Sequence, residues 1–244
     1  MGMQTIEIES KRWGAMLRLS RPPVNAMSTE LVSELADAVE RLTEERPAVV
    51  VLTGDGHCFS AGADLKEAHL TAESLLARFS HGRRVLDALR EAPFPTIAAV
   101  NGACMGAGMN LIANCDLRVA HERAVFGLPE IKRGRAGGAA NLRGVLTEGY
   151  VRWLALTGDN LDAAEAARVG LVQRVFADSA WESEVDALAA RIAQAGHTGL
   201  YAIKEGLRKT RTAPIGDAHW IEQQLSFRLW AEGKQGPWTG EAAK

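Results

Sequence analysis

Two uninterrupted apolar runs, Val49-Val50-Val51-Leu52 and Thr96-Ile97-Ala98-Ala99-Val100, stand out along this chain. Neither alternates with polar residues, so both read as strands covered on two faces. Near the start the pattern differs. Ile6 and Ile8 alternate with Glu7 and Glu9, and Leu17 and Leu19 flank Arg18, which predicts two half-exposed antiparallel strands joined near Trp13-Gly14. Leu31, Leu35, Val39 and Leu42 then recur at helical spacing behind Ser28, a good helix cap, so a helix is expected to about Thr43. Leu75, Phe79, Leu86 and Leu89 repeat that period until Pro93 and Pro95 stop it. Further strands read from Asp116 to Ala120, Ala124 to Gly127 and Leu171 to Phe176. Asp162 and Glu165 are spaced as a capping box for a short helix closed by Gly170. From Trp181 the pattern is helical nearly to the end. Trp181, Trp220, Trp230 and Trp238 bring more bulky apolar surface there than lone helices cover, so docking on the core or on another subunit is expected.

The two buried strands end alike. After Val100 come Asn101-Gly102 and then Gly106-Ala107-Gly108; after Thr53 come Gly54-Asp55-Gly56 and Ser60-Ala61-Gly62-Ala63-Asp64-Leu65. Small residues admit a ligand close to the main chain, and a helix starting there leaves its first N–H groups without an intrahelical partner. Two such units aim two N–H groups at one oxygen. That is the requirement of an oxyanion hole, where each donor contributes about 3 to 4 kcal/mol of transition-state stabilisation. Asp64 is expected to sit beside the positive end of the second helix. Close packing of helix on strand accounts for the same glycines, and the spacing alone does not separate the two readings.

The 244 residues suit one large core or one core with an appendage. With 28 basic and 30 acidic residues the net charge is -2, which gives no global pull towards nucleic acid or an anionic membrane. Cys58, Cys104 and Cys115 are odd in number and lack CxxC spacing, so neither a disulfide framework nor a metal site is expected. No apolar run approaches the length of a membrane span and the first residues do not read as a leader, so a cytoplasmic protein is expected. Gly54-x-Gly56 and Gly102-xxx-Gly106-x-Gly108 are not G-x-G-x-x-G, and Ser60 is not in G-x-S-x-G, which removes dinucleotide-binding and serine-hydrolase readings.

The runs SAGADL, AAVNGACMGAG and FGLPEI, the last at Phe126 to Ile131, together resemble the crotonase family, the enoyl-CoA hydratase/isomerase superfamily. The resemblance runs in order from about Pro22 to Phe176, roughly two thirds of the chain. It implies an α/β fold, a crotonase-like spiral of β-β-α units, with residues 1–180 as acyl-CoA-binding core and 181–244 as a helical trimerisation region. It implies an acyl-CoA thioester substrate, no cofactor beyond the coenzyme A carried by that substrate, and homotrimers or hexamers. By this resemblance the N–H groups of Ala63 and Ala107 hold the thioester oxygen. Asn25, Ala26, Ala61, Gly62, Asp64, Leu65 and Gly106 lie along the substrate and its coenzyme A. Family members usually continue further past the position of Glu232, so whatever a longer tail adds to the site is expected to be missing.

Charge released at the α carbon of a thioester moves to its oxygen, and what remains is proton handling by a carboxylate with a raised pKa. Family hydratases carry two glutamates: one matches Glu130, while the other matches Asn110, which does not ionise. Adding water needs both an acid and a base. Moving a double bond needs one carboxylate. The expected reaction is therefore conversion of a 3-enoyl-CoA to a 2-enoyl-CoA by Glu130, with hydration by a water held between Asn110 and Glu130 as alternative, and a non-catalytic acyl-CoA-binding or RNA-binding relative as further alternative. Lys132, Arg133 and Arg135 stand where relatives are often apolar; they read as a solvated face or as a contact to a coenzyme A phosphate or an acidic acyl tail. Lys66 and His69 fall in a stretch that in relatives covers the acyl chain.

Overall fold

The computed structural model of the chain describes residues 5–67 and 71–234. His69, Trp238 and the tail from 235 onward lie outside them. In order the chain forms β1 (Ile6–Lys11), β2 (Gly14–Leu19), α1 (Thr29–Glu45), β3 (Val49–Gly54), β4 (Cys58–Ser60), α2 (Ala72–Glu91), β5 (Thr96–Val100), β6 (Ala103–Met105) and α3 (Ala107–Ala113). There follow β7 (Leu117–His121), β8 (Val125–Gly127), α4 (Ala139–Leu142), α5 (Glu148–Thr157), β9 (Asn160–Asp162), α6 (Ala163–Arg168), β10 (Arg174–Phe176), α7 (Trp181–Ala193), α8 (His197–Thr210) and α9 (Ile215–Ala231). Short 3₁₀ turns cover Leu65–Glu67 and Pro129–Arg133.

Strands are dealt alternately to two sheets. The larger runs β1-β2-β3-β5-β7-β10, antiparallel only in the first hairpin, and the smaller runs β4-β6-β8-β9, with β9 antiparallel. Each turn of the chain thus gives one strand to each sheet, as in β3-β4-α2 and β5-β6-α3, which is the spiral of β-β-α units. Covering on two faces explains the uninterrupted apolar runs. Val50 and Leu52 pack with α1's Leu31, Leu35, Val39 and Leu42, while Val49 and Val51 pack with Trp13 and with Val185 and Ala189 of α7.

Several local expectations need adjusting. Ser28 does cap α1, accepting the Leu31 N–H, but the helix continues to Glu45. Only half of the box at α6 forms: Asp162 accepts the Glu165 N–H, whereas the Glu165 carboxylate turns to Arg168 and Tyr150. Of α2's apolar residues, Leu75 and Phe79 are exposed, because the first half of that helix borders a cleft rather than the core. Trp181 docks on the core, its ring 5.3 Å from His121 and 6.4 Å from Phe176. Trp220 and Trp230 of α9 instead face outwards, as do Ile203 and Leu207 of α8. Among the described residues no helix is long and apolar enough to cross a membrane.

A buried lysine fastens α8 to the core. Lys204 Nζ donates to the carbonyls of Phe94 (2.9 Å) and Leu89 (3.5 Å) and pairs with Asp116 (2.8 Å). Asp116 keeps its bonds from the Thr96 N–H and hydroxyl whatever happens to the lysine. Lys204→Met, which retains the apolar stem, is therefore expected to cost about 2 kcal/mol, read as a lowered urea midpoint. A midpoint unchanged from wild type would show that the latch carries no stability.

Candidate active site

The turn between β6 and α3 is shaped by Gly106, which takes φ 51° and ψ -110° as the cap of α3. Its N–H donates to Gly127 (2.9 Å), and its carbonyl accepts from Met109 and Asn110. Ala107 follows as the first helical residue, and its N–H has no partner among the described residues. The second donor is set differently from the sequence-based expectation. Asp64-Leu65 begins a 3₁₀ turn rather than an α-helix, and Ala63 lies in an isolated parallel bridge with Met27. Met27 donates to Gly62 (2.8 Å) and accepts from Asp64 (3.0 Å), so Ala63 turns its own N–H to the opposite side. The two turns touch: a Cβ on Gly62, whose φ is +87°, would lie 2.8 Å from the Met105 carbonyl and 3.4 Å from the Ala107 nitrogen.

Ala63 and Ala107 open on a cleft of about 860 Å³ that also receives Asn110 and Glu130. Leu75, Phe79 and Leu86 of α2 form one wall and Ala136, Gly137, Gly138 and Asn141 another. Glu130 sits in the 3₁₀ turn after β8, where Pro129 fixes the first turn position. Its carboxylate occupies the space a side chain at position 106 would need, since a Cβ there would stand 2.5 Å from Oε1. Burial pushes the Glu130 carboxyl above its ordinary value, opposed in part by its own main-chain N–H. Asn110 projects from α3, with Gly138 packed on its amide so closely that a Cβ would fall 2.9 Å from Nδ2.

Glu130 Oε2 and Asn110 Oδ1 are the buried side-chain polar atoms without a hydrogen-bond partner among the described residues. Leaving such atoms bare costs about 1 to 3 kcal/mol each, and finding both in one cleft points to a ligand that completes them. The cleft's other carboxylates are occupied. Glu67 accepts the Thr29 N–H and hydroxyl and faces Arg78, and Asp87 is shared by Arg83 and Arg90.

Of the residues expected along coenzyme A, Asn25, Gly62, Asp64 and Gly106 are buried, Ala26 is half-buried, and Ala61 and Leu65 are exposed. Asn25 is buried and braces its loop: Oδ1 accepts the Arg21 N–H, Nδ2 donates to the carbonyls of Asp55 and Cys58, and its own carbonyl takes the Ser60 hydroxyl. Asp64 is buried, with one carboxylate oxygen 2.6 Å from Arg21 and the other accepting the Lys66 N–H of the 3₁₀ turn that follows at 2.9 Å. Burial pushes its carboxyl up, but the Lys66 N–H and the Arg21 guanidinium outweigh that and hold it below the usual range. Gly62 packs against the main chain at Met105 and Ala107, and Gly106 against the Glu130 carboxylate. Ala26, Ala61 and Leu65 do not line the cleft. Lys132 and Arg133 are exposed, and Arg135 reaches the cleft rim.

Arg78 was not legible as a site residue. It donates to the carbonyls of Met27 (3.3 Å) and Asp64 (3.4 Å), clamping the segments on both sides of Ala63. Its one signal is its place on the cleft-facing stripe of α2, three residues after Leu75. Arg90 is a second such case: its fork holds Asn114, whose amide caps the Asn110 carbonyl. Among the described residues, no three His, Cys, Asp or Glu side chains are grouped to hold a metal ion.

The profile of the family described as Enoyl-CoA hydratase/isomerase matches residues 14–236. A Mycobacterium tuberculosis protein named (7aS)-7a-methyl-1,5-dioxo-2,3,5,6,7,7a-hexahydro-1H-indene-carboxyl-CoA hydrolase is 34% identical over 212 residues, 85% of each chain. A probable enoyl-CoA hydratase of Mycobacterium bovis is 33% identical over 242 residues, 96% of this chain and 93% of that one. The crystal structure of an enoyl-CoA hydratase from Bacillus anthracis superposes with a TM-score of 0.87 at 29% identity, covering 98% of this chain and 100% of the other.

Proposed function

The chain belongs to the enoyl-CoA hydratase/isomerase family, and we propose that it moves the double bond of a 3-enoyl-CoA to the 2 position with Glu130 as its sole acid/base. The observation that carries this reading is that Glu130 alone among the cleft's carboxylates keeps a buried oxygen free, while the facing position is an amide. The thioester oxygen lies against the Ala63 and Ala107 N–H groups. Glu130 takes a proton from C2, the dienolate charge spreads to that oxygen, and the same carboxyl returns the proton at C4. Proton transfer of this kind needs no cofactor beyond the coenzyme A of the substrate. The outward apolar faces of α8 and α9 are where copies of the chain pack as a trimer, alone or paired as a hexamer.

Asn110 supports one other reading. Its bare Oδ1 offers an acceptor to a water, and a water bridging Asn110 and Glu130 is placed for hydration of a 2-enoyl-CoA. The test is to supply a trans-3-enoyl-CoA and a trans-2-enoyl-CoA separately and follow absorbance of the conjugated thioester. Conjugation appearing from the first, with the second stable, is the expected result. Loss of conjugation from the second would establish hydration instead. Tight binding of both without change would make the protein a non-catalytic binder.

A further inference from the structure

The charges around the cleft do not balance. Arg78, Arg83, Arg90 and Arg135 line it. Arg78 is matched by Glu67 at 3.7 Å and by two main-chain carbonyls. Asp87 has to serve both Arg83 (3.2 Å) and Arg90 (2.9 Å), and Arg90 commits its remaining fork to Asn114. Arg83 therefore spends a single N–H and keeps its other donors, with a side chain 84% exposed. The Arg135 side chain has no partner among the described residues; only its main-chain N–H is engaged, donating to the Glu130 carbonyl at 3.0 Å. That bond ties the arginine to the residue proposed to act on the acyl chain. Leu75, Phe79 and Leu86 supply the apolar surface a short hydrocarbon chain needs on the way.

We infer that the cleft selects an acyl-CoA whose acyl chain ends in a carboxylate, bound by Arg135 with Arg83, over the neutral chain of equal length. This rests on the acyl-CoA reading above and adds a substrate class to it. A planar guanidinium with most of its donors free matches a carboxylate in two parallel bonds, and a cleft that combines apolar side chains with such groups disfavours a methyl terminus only weakly but rewards an anion.

The test uses the full chain and two saturated ligands that undergo no double-bond chemistry, hexanoyl-CoA and adipoyl-CoA, with affinity measured by titration calorimetry. Wild type is expected to bind adipoyl-CoA about 10-fold more tightly, a preference weakened by added salt. Arg135→Gln is expected to abolish that preference while leaving hexanoyl-CoA affinity as it was, and Arg83→Gln to reduce it. Equal affinities in wild type would overturn the inference. So would an Arg135→Gln variant that weakens both ligands alike, since that pattern belongs to a coenzyme A phosphate contact. Failure of both ligands to bind would overturn the acyl-CoA reading itself and this inference with it, an outcome distinct from equal binding.

Discussion

Glu130→Gln is expected to lower turnover of a 3-enoyl-CoA by about 10³- to 10⁴-fold, the scale of removing the one group that moves the proton. Affinity for a saturated acyl-CoA should stay close to wild type, because glutamine keeps the shape and one acceptor. The accompanying stability change has a definite sign. Glu130 has a folded pKa above its ordinary value of 4.5, with burial as the main cause. The unfolded chain loses this proton first, so ionisation weakens the fold as pH rises from the unfolded value through the folded one, and the deficit persists above it. The variant escapes that deficit. Its denaturation midpoint at neutral pH should equal or exceed that of wild type, and the difference should vanish at a pH below both values. Activity has the opposite dependence, since proton abstraction needs the ionised form. The acid limb of kcat/KM in wild type is expected to have its midpoint above 4.5. A variant retaining a tenth of wild-type activity, or an acid limb at or below that value, would remove Glu130 from its proposed role.

The fold was readable because most of its elements announce themselves locally. Val49 to Leu52 and Ile97 to Val100 are apolar at every position because α1 and α7 cover opposite faces of one sheet, a condition no surface strand meets. What sequence could not give was which turn chemistry would present Ala63. Asp64 does accept an N–H at the start of the segment that follows, but that segment is only a 3₁₀ turn before position 68, and Arg21, distant in sequence, holds the other carboxylate oxygen. The donor geometry there comes from pairing with Met27, a contact between segments that no local pattern encodes. The work of the Asn25 side chain was hidden for a related reason. Its residue type fits many loops, and only the positions of Asp55 and Cys58 make it a brace for the loop whose main chain is expected along coenzyme A. Arg83 and Arg90 read as ordinary charges on an amphipathic helix. They differ from such charges only because one aspartate must serve both, which is a fact about packing.

Ala107→Pro is expected to lower turnover by about 10²- to 10³-fold with little loss of stability, the effect of deleting one donor from a two-donor hole. Proline lacks the N–H but suits the first position of a helix, where no intrahelical bond is lost. The preceding residue is Gly106, which has no Cβ to meet the proline ring. Ala107→Gly, which keeps the N–H, is the control for side-chain loss. Because the donor acts on charge that develops during reaction, the loss should appear in kcat more than in KM. The residual rate of the proline variant then reports what the Ala63 N–H supplies alone. Equal turnover by the proline and glycine variants would mean that no charge gathers at Ala107, and the proposed enolate chemistry would have to be abandoned along with the assignment of Glu130 as its base.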